Sequence, residues 1–293
     1  MNGVLIVNKP QGWTSHDVVA KLRGIYQTRR VGHSGTLDPM ATGVLVVFLG
    51  RATRAVELFE NDEKEYVAGL KLGTVTNTQD TTGEILETRE VHVTDEELLA
   101  VLKGFLGPQQ QIPPMYSAVK IGGRKLYELA RKGQTVERKP RNITIEALEL
   151  LSRQEDECLI RVRCSKGTYV RTLCHDIGEV LGCGGCMSSL QRTMAGRFQM
   201  EDALSLEEIQ GAKERGTHEA YLKPIDFLFS HLPALTVDEK GEKRCKCGTD
   251  FPMKDLPDGE YRVYSQKGEF LMLGRGEAGV LKTVKSFFEV NEG

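Results

Sequence analysis

The chain has 293 residues, 40% hydrophobic and 27% charged, with a formal net charge of −2. That length holds one large domain or two, and the composition is that of a globular protein rather than a disordered, fibrous or uniformly basic one. No run approaches the roughly 18 apolar residues of a membrane span, and the apolar run in the N-terminal MNGVLIVNKP is too short for a signal peptide, so a cytoplasmic location is expected.

In chain order, residues 4–7 read as a strand. Ser15 reads as the N-cap of a helix with Asp17 in its first turn and Val18, Val19, Leu22 and Ile25 at helical spacing. Segment 31–45, VGHSGTLDPMATGVL, follows. Its glycines permit positive φ and close approach. Pro39 fixes its own φ and pushes Asp38 toward extended backbone. A carboxylate on a shaped loop ahead of a buried strand, 44–49, is either an ordinary Gly-Asp-Pro turn or the start of a site.

Beyond it, 53–59 reads as a short helix, 65–72 as a strand, 74–83 as a loop and 84–91 as a strand. Thr94-Asp95-Glu96-Glu97 is a capping box opening a helix over 98–106. Residues 108–114 look like a linker, 115–121 a strand, 124–132 a short basic helix and 143–151 a strand. In 158–164, Ile160, Val162 and Cys164 alternate with Leu159, Arg161 and Arg163, which predicts a half-exposed strand. Residues 165–171 lead into a helix ending near Leu181. Residues 187–198 predict a strand, and Ser205 with Glu208 another capped helix. From about 231 the segments shorten: 260–265, 269–273 and 281–290 predict a small β-rich C-terminal domain. The GRGEAG at 274–279 matches GxGxxG by letters only. No βαβ unit surrounds it, so it reads as a turn.

Seven cysteines without a secretion signal are expected to be reduced and mostly buried. Cys183-Gly-Gly-Cys186 and Cys245-Lys-Cys247 lie too far apart, with the wrong second spacing, for paired zinc knuckles. No thioredoxin-like context surrounds the first pair. No metal site is expected.

Charge is uneven. Lys9 to Arg54 carries seven Lys/Arg against two Asp/Glu, Glu57 to Ala100 three against twelve, and Pro113 to Asn142 eight against two. Two basic zones therefore flank an acidic one. Such a run is either a solvated face or a footprint for a phosphate backbone. Trp13 in the first zone and Tyr116 and Tyr127 in the second add rings on which unpaired bases could stack. Walker, HExxH, GxSxG and methyltransferase-type glycine motifs are lacking. What remains is one loop carboxylate, able to act as nucleophile or general base, with Arg171 a candidate to hold it ionised. A catalytic RNA enzyme, a non-catalytic RNA-binding or RNA-folding module, and an aspartate-dependent hydrolase of small substrates all stay open on these residues.

GHSGTLDPMATGVL resembles the signature of the TruB family of tRNA pseudouridine synthases, which make pseudouridine at position 55 of the T-loop. Four more segments resemble that family in the same order: Val7-Asn8-Lys9-Pro10-Gln11-Gly12, Glu65-Tyr66, Pro113-Pro114-Met115-Tyr116-Ser117-Ala118-Val119-Lys120 and Cys164-Ser165-Lys166-Gly167-Thr168-Tyr169-Val170-Arg171. The resemblance spans residues 3–200. The C-terminal part resembles the family's PUA-like RNA-binding domain only loosely.

The resemblance implies an α+β fold with a large mixed, mostly antiparallel central sheet flanked by helices. It implies a catalytic domain over 1–230 with an RNA-gripping thumb at 114–141, and a PUA-like domain over 231–293. It implies Asp38 as the catalytic aspartate, Tyr66 stacked on a flipped uracil, Arg171 paired with Asp38, and Tyr169 lining the same pocket. Leu190 would be an apolar wall, His33 would meet the T-loop, and Lys9, Lys120, Arg124 and Lys125 would bind substrate. The expected partner is the T-arm stem-loop of tRNA, acted on by a monomer without membrane attachment. No cofactor is expected, because isomerisation of uridine needs neither a redox step nor a group donor.

Overall fold

A computed structural model describes residues 1–59 and 63–288. The first part of the chain forms β1 (Gly3–Lys9), α1 (Ser15–Ile25), β2 (Val31–Ser34), β3 (Thr42–Leu49), the 3-10 helix Gly50–Phe59, β4 (Lys64–Leu72), β5 (Thr74–Thr76), β6 (Ile85–Thr88), α2 (Asp95–Gly104) and β7 (Gly107–Gln111). There follow β8 (Lys120–Ile121), β9 (Arg124–Lys125), α3 (Leu126–Ala130), β10 (Arg141–Gln154), β11 (Glu157–Cys164), α4 (Val170–Val180), β12 (Gly185–Ala195), β13 (Phe198–Gln199) and α5 (Leu206–Glu214). The last part is β14 (Ala234–Val237), α6 (Glu239–Lys246), β15 (Phe251–Pro252), β16 (Gly259–Ser265), β17 (Phe270–Glu277) and β18 (Val280–Ser286).

The main sheet runs β1-β3-β12-β4-β11-β10-β7, with β2 on β3 and β13 on β12. Its pairings are antiparallel except one: β12 meets β3 in parallel, over only Gln191↔Thr42 and Arg192↔Gly43. This short seam joins two halves with separate cores. In β3, Val44, Val46 and Phe48 face one cluster, while Leu45, Val47 and Leu49 face another against α1. Burial on both faces explains the unbroken apolar run. Across the seam, Ile160, Val162 and Cys164 of β11 pack under α4, while Leu159, Arg161 and Arg163 keep to the other face, as the alternation predicts. A second, five-stranded sheet, β14-β16-β17-β18-β15, has a core of its own around Val263, Leu271 and Leu281. It also lends Leu273 and Phe287 to the cluster under β3. Among the described residues no helix is long and apolar enough to cross a membrane. All seven cysteines are free, and all but Cys247 are buried.

Several local expectations change. Thr14, not Ser15, caps α1, exchanging hydrogen bonds with Asp17 in a capping box. Residues read as a linker form edge strand β7, where Pro108 is tolerated because an edge leaves one side unpaired. Of 115–121 only Lys120–Ile121 is extended. It pairs with Arg124–Lys125 across Gly122 and Gly123, both at positive φ, so the helix there starts only at Leu126. Part of the 74–83 loop is β5, paired with the shortened strand β6. Gly274 and Gly276 lie within β17 rather than in a turn. A Cβ at Gly276 would stand 2.4 Å from the carbonyl of Pro257. Helix α6 had no sequence signal, since only Gly241 and Cys245 of its EKGEKRCK are buried. Residues 289 and 290 of the last predicted strand lie outside the described residues, and that strand ends at Ser286.

Candidate active site

The loop between β2 and β3 carries Asp38 over the seam. Neighbours hold it on both sides. The Ser15 hydroxyl at the start of α1 accepts from the Leu37 N–H (3.0 Å) and donates to the Leu37 carbonyl (3.3 Å). The Pro39 carbonyl accepts from the Gly12 N–H (2.8 Å). Lys9, fully buried in β1, turns its ammonium to the carbonyls of Pro10 (2.9 Å), Trp13 (2.6 Å) and Pro39 (3.4 Å). Burial lowers its pKa to about 8, opposed by the Asp38 carboxylate. Lys9 thus fastens the Asp38–Pro39 turn from beneath, beside the carboxylate.

Arg171, in the first turn of α4, places Nε 2.9 Å from Asp38 Oδ2. Its other nitrogens donate to the carbonyls of Thr78 (3.0 Å) and Tyr116 (2.8 Å), and Nη1 lies 3.6 Å from Asp80. Asp80 Oδ1 accepts from the Thr78 hydroxyl (2.8 Å), the Thr82 N–H (3.0 Å) and the Thr82 hydroxyl (2.5 Å). One guanidinium therefore spans a buried carboxylate, hydrogen-bonded through Oδ1, and an accessible one. This is the arrangement that aims a carboxylate from a rigid scaffold.

Tyr66 stands near the start of β4, with Arg192 of β12 as its register partner on one side and Val162 on the other. Desolvation raises the pKa of its hydroxyl, opposed by the Arg192 charge and hydrogen bond, and Asp38 is near enough to raise it further. The ring packs on the cluster that also holds Leu37, Ala41 and Leu190. Tyr169 precedes α4. Its N–H donates to Gln111 Oε1 (2.8 Å) and its carbonyl accepts from Gln111 Nε2 (3.1 Å), so the end of β7 fixes the entry to the helix. His33 of β2 is half-buried, its Nδ1 has no hydrogen-bond partner, and its ring meets His16 edge-on at 5.8 Å. Burial, then His16 and Arg192, push its pKa down to about 4.

Asp38, Tyr66, Leu190 and Arg171 thus come together from a loop, two strands and a helix, with Tyr169 and His33 close in sequence to that group. Lys120, Arg124 and Lys125 do not join it. They sit on the hairpin of the 114–141 segment, where Lys125 (5.4 Å) and Arg131 (5.5 Å) approach the ring of Tyr127.

Four residues here had no signal in the sequence. Arg192 is 1% exposed, a charge buried in a strand of mixed polarity. It donates from Nε to the Val44 carbonyl (2.7 Å) and from Nη2 to the Gly35 carbonyl (3.0 Å), gripping both ends of the Asp38 loop. At the seam a Cβ on Gly43 (φ +102°) would fall 2.2 Å from the Arg192 carbonyl, so only glycine fits. Asp80 sat in a threonine-rich run read as a loop, Gln111 in a presumed linker, and Ser15 was taken for a cap.

Residues 23–170 match the family model described as TruB family pseudouridylate synthase (N terminal domain), and residues 171–230 that of the tRNA pseudouridylate synthase B C-terminal domain. The chain is 40% identical to tRNA pseudouridine synthase B of Clostridium kluyveri, covering 98% of this chain and 100% of that one. It is 42% identical to the protein of the same name from Bacillus velezensis, covering 100% and 99%. Among solved structures it is similar to a chain of a Cbf5-Nop10-Gar1 complex, with a TM-score of 0.73 and 28% identity over 98% of this chain and 85% of that one. It is also similar to a chain of an H/ACA RNP bound to a substrate RNA containing 2′-deoxyuridine, with a TM-score of 0.72 and 25% identity over 99% and 86%.

Proposed function

The chain belongs to the TruB family of pseudouridylate synthases, and from that premise we propose that it isomerises uridine to pseudouridine in tRNA, at position 55 of the T-loop, with Asp38 as the catalytic group. The observation that carries the reading is the 2.9 Å contact between Asp38 and Arg171 beside Tyr66. The reaction breaks N1–C1′ and joins C1′ to C5. The C5 proton leaves and N1 gains one, so atoms balance without donor or oxidant. The target base must leave its stack to be reached. The Tyr66 ring, with Leu190 as an apolar wall and Tyr169 lining the same pocket, replaces the lost stacking. Asp38 acts on the sugar, on the ring or on a proton, with Arg171 fixing its orientation.

His33 meets the T-loop beside the opened stack. Lys120, Arg124 and Lys125 grip the backbone from the thumb at 114–141, and the module from 231 onward adds a PUA-like RNA surface. The protein works as a monomer. The test is tritium release from tRNA labelled at uridine C5. Wild type should release it and Asp38→Asn should not. A wild type inactive on a good T-arm substrate removes the enzymatic reading. An active Asp38→Asn removes Asp38 from the chemistry instead.

A further inference from the structure

The sole tryptophan of the chain, Trp13, is 36% exposed although it is the largest apolar side chain available. Its backbone is anything but free. The carbonyls of Trp13 and Pro39 bond to one Lys9 nitrogen, at 2.6 and 3.4 Å, so they lie within about 6 Å of each other. Two residues on, Ser15 exchanges two hydrogen bonds with Leu37. The stretch Trp13–His16 is thus tied to the residues on either side of Asp38. His16, exposed on the first turn of α1, stands edge-on to His33. Asp17, in the first turn of α1, is occupied in capping Thr14. Lys21 and Arg23 on α1 and Arg29 and Arg30 just after it are exposed, and none takes a carboxylate partner among the described residues.

A rigidly anchored backbone presenting an exposed ring beside a carboxylate site, in a field of unpaired cations, fits an unpaired nucleobase better than a protein partner. The ring supplies a stacking face at little entropic cost, and the cations take the phosphates. We propose that Trp13 is a stacking surface for an unpaired base of the substrate RNA next to the target uridine, with His16 extending it toward His33. The inference rests on the functional reading above and adds a binding surface to it.

Because Trp13 is the sole tryptophan, its intrinsic fluorescence reports on this contact alone. Titration with a T-arm stem-loop should quench it, saturating at one RNA per chain. The blunt duplex of the stem, which has no unpaired base, should leave it nearly unchanged. Trp13→Ala should weaken stem-loop binding about 5- to 150-fold and raise KM, with the single-turnover rate at saturating RNA unchanged, whereas Trp13→Phe should bind within about threefold of wild type. Unchanged fluorescence with RNA bound and turned over overturns the proposal and leaves the enzymatic reading intact. Equal quenching by the duplex also overturns it. Loss of tritium release in wild type, with quenching preserved, removes the enzymatic reading and keeps the stacking surface.

Discussion

Asp38 and Arg171 touch at 2.9 Å, yet the Asp38 side chain is 39% exposed and that of Arg171 only 7%. The cation belongs to the scaffold and the carboxylate to the open side. Asp38→Asn should therefore cost little stability, about 1 kcal/mol or less, because Asp80 still faces the guanidinium. Activity should fall by about three orders of magnitude or more. RNA affinity, measured by anisotropy, should change less than about threefold. A comparable fall in affinity would mean that Asp38 serves binding rather than chemistry.

Asp80 is the buried end of the same guanidinium bridge. Asp80→Ala removes three accepted hydrogen bonds and leaves two threonine hydroxyls to repair. Stability should drop by about 1–3 kcal/mol. Arg171 would lose one constraint, so kcat should fall while KM stays near wild type. An unchanged kcat in a folded variant would show that the Thr78, Tyr116 and Asp38 contacts suffice to orient Arg171.

Arg192 holds the Asp38 loop through the carbonyls of Gly35 and Val44. Arg192→Met should remove a buried charge and leave those carbonyls and the Tyr66 hydroxyl without their donor. A loss of about 2–4 kcal/mol in urea unfolding is expected, with activity falling further than stability alone explains. Full activity in this variant would show that the loop is shaped without it.

His33 gives an acid-side signature. Its folded pKa of about 4 lies below the ordinary 6.5, so between these values the unfolded chain binds more protons. Stability should fall as pH drops from about 7 toward 4, and this residue should contribute little pH dependence above about 7.5. At pH 5 the loss from His33 is about 1–2 kcal/mol. Denaturant unfolding of wild type and His33→Gln at pH 7 and pH 5 isolates it from the carboxylates. Equal losses in both proteins would remove His33 as the cause.

The hairpin cations act at a distance from the chemistry. Replacing Lys120, Arg124 and Lys125 together by glutamine should weaken RNA binding and reduce the slope of log affinity against log salt by about 2–3. The single-turnover rate at saturating RNA should stay near wild type. We also expect residues 114–141 to become more protease-resistant on binding a T-arm stem-loop, with Gly122, Gly123 and Gly133 as hinges. Equal cleavage with and without RNA would argue against ordering.

Local chemistry is what the sequence by itself determined. Apolar runs with period two or none gave the strands, Thr94 and Ser205 announced their capping boxes, and glycine and proline shaped the loop around Asp38. Motifs of five short segments were enough to resemble one family and to nominate Asp38, Tyr66 and Arg171. Only the tertiary structure decided how those residues meet, because their contacts span residues 38, 66, 171 and 190 across a sheet whose strand order is not the chain order. The supporting residues were invisible for the same reason. A buried arginine, a bonded aspartate or a helix-start serine has no periodicity of its own. Arg192, Asp80 and Ser15 acquire meaning only where folding brings the carbonyls of Gly35, Val44, Thr78 and Leu37 within hydrogen-bonding distance of this one network.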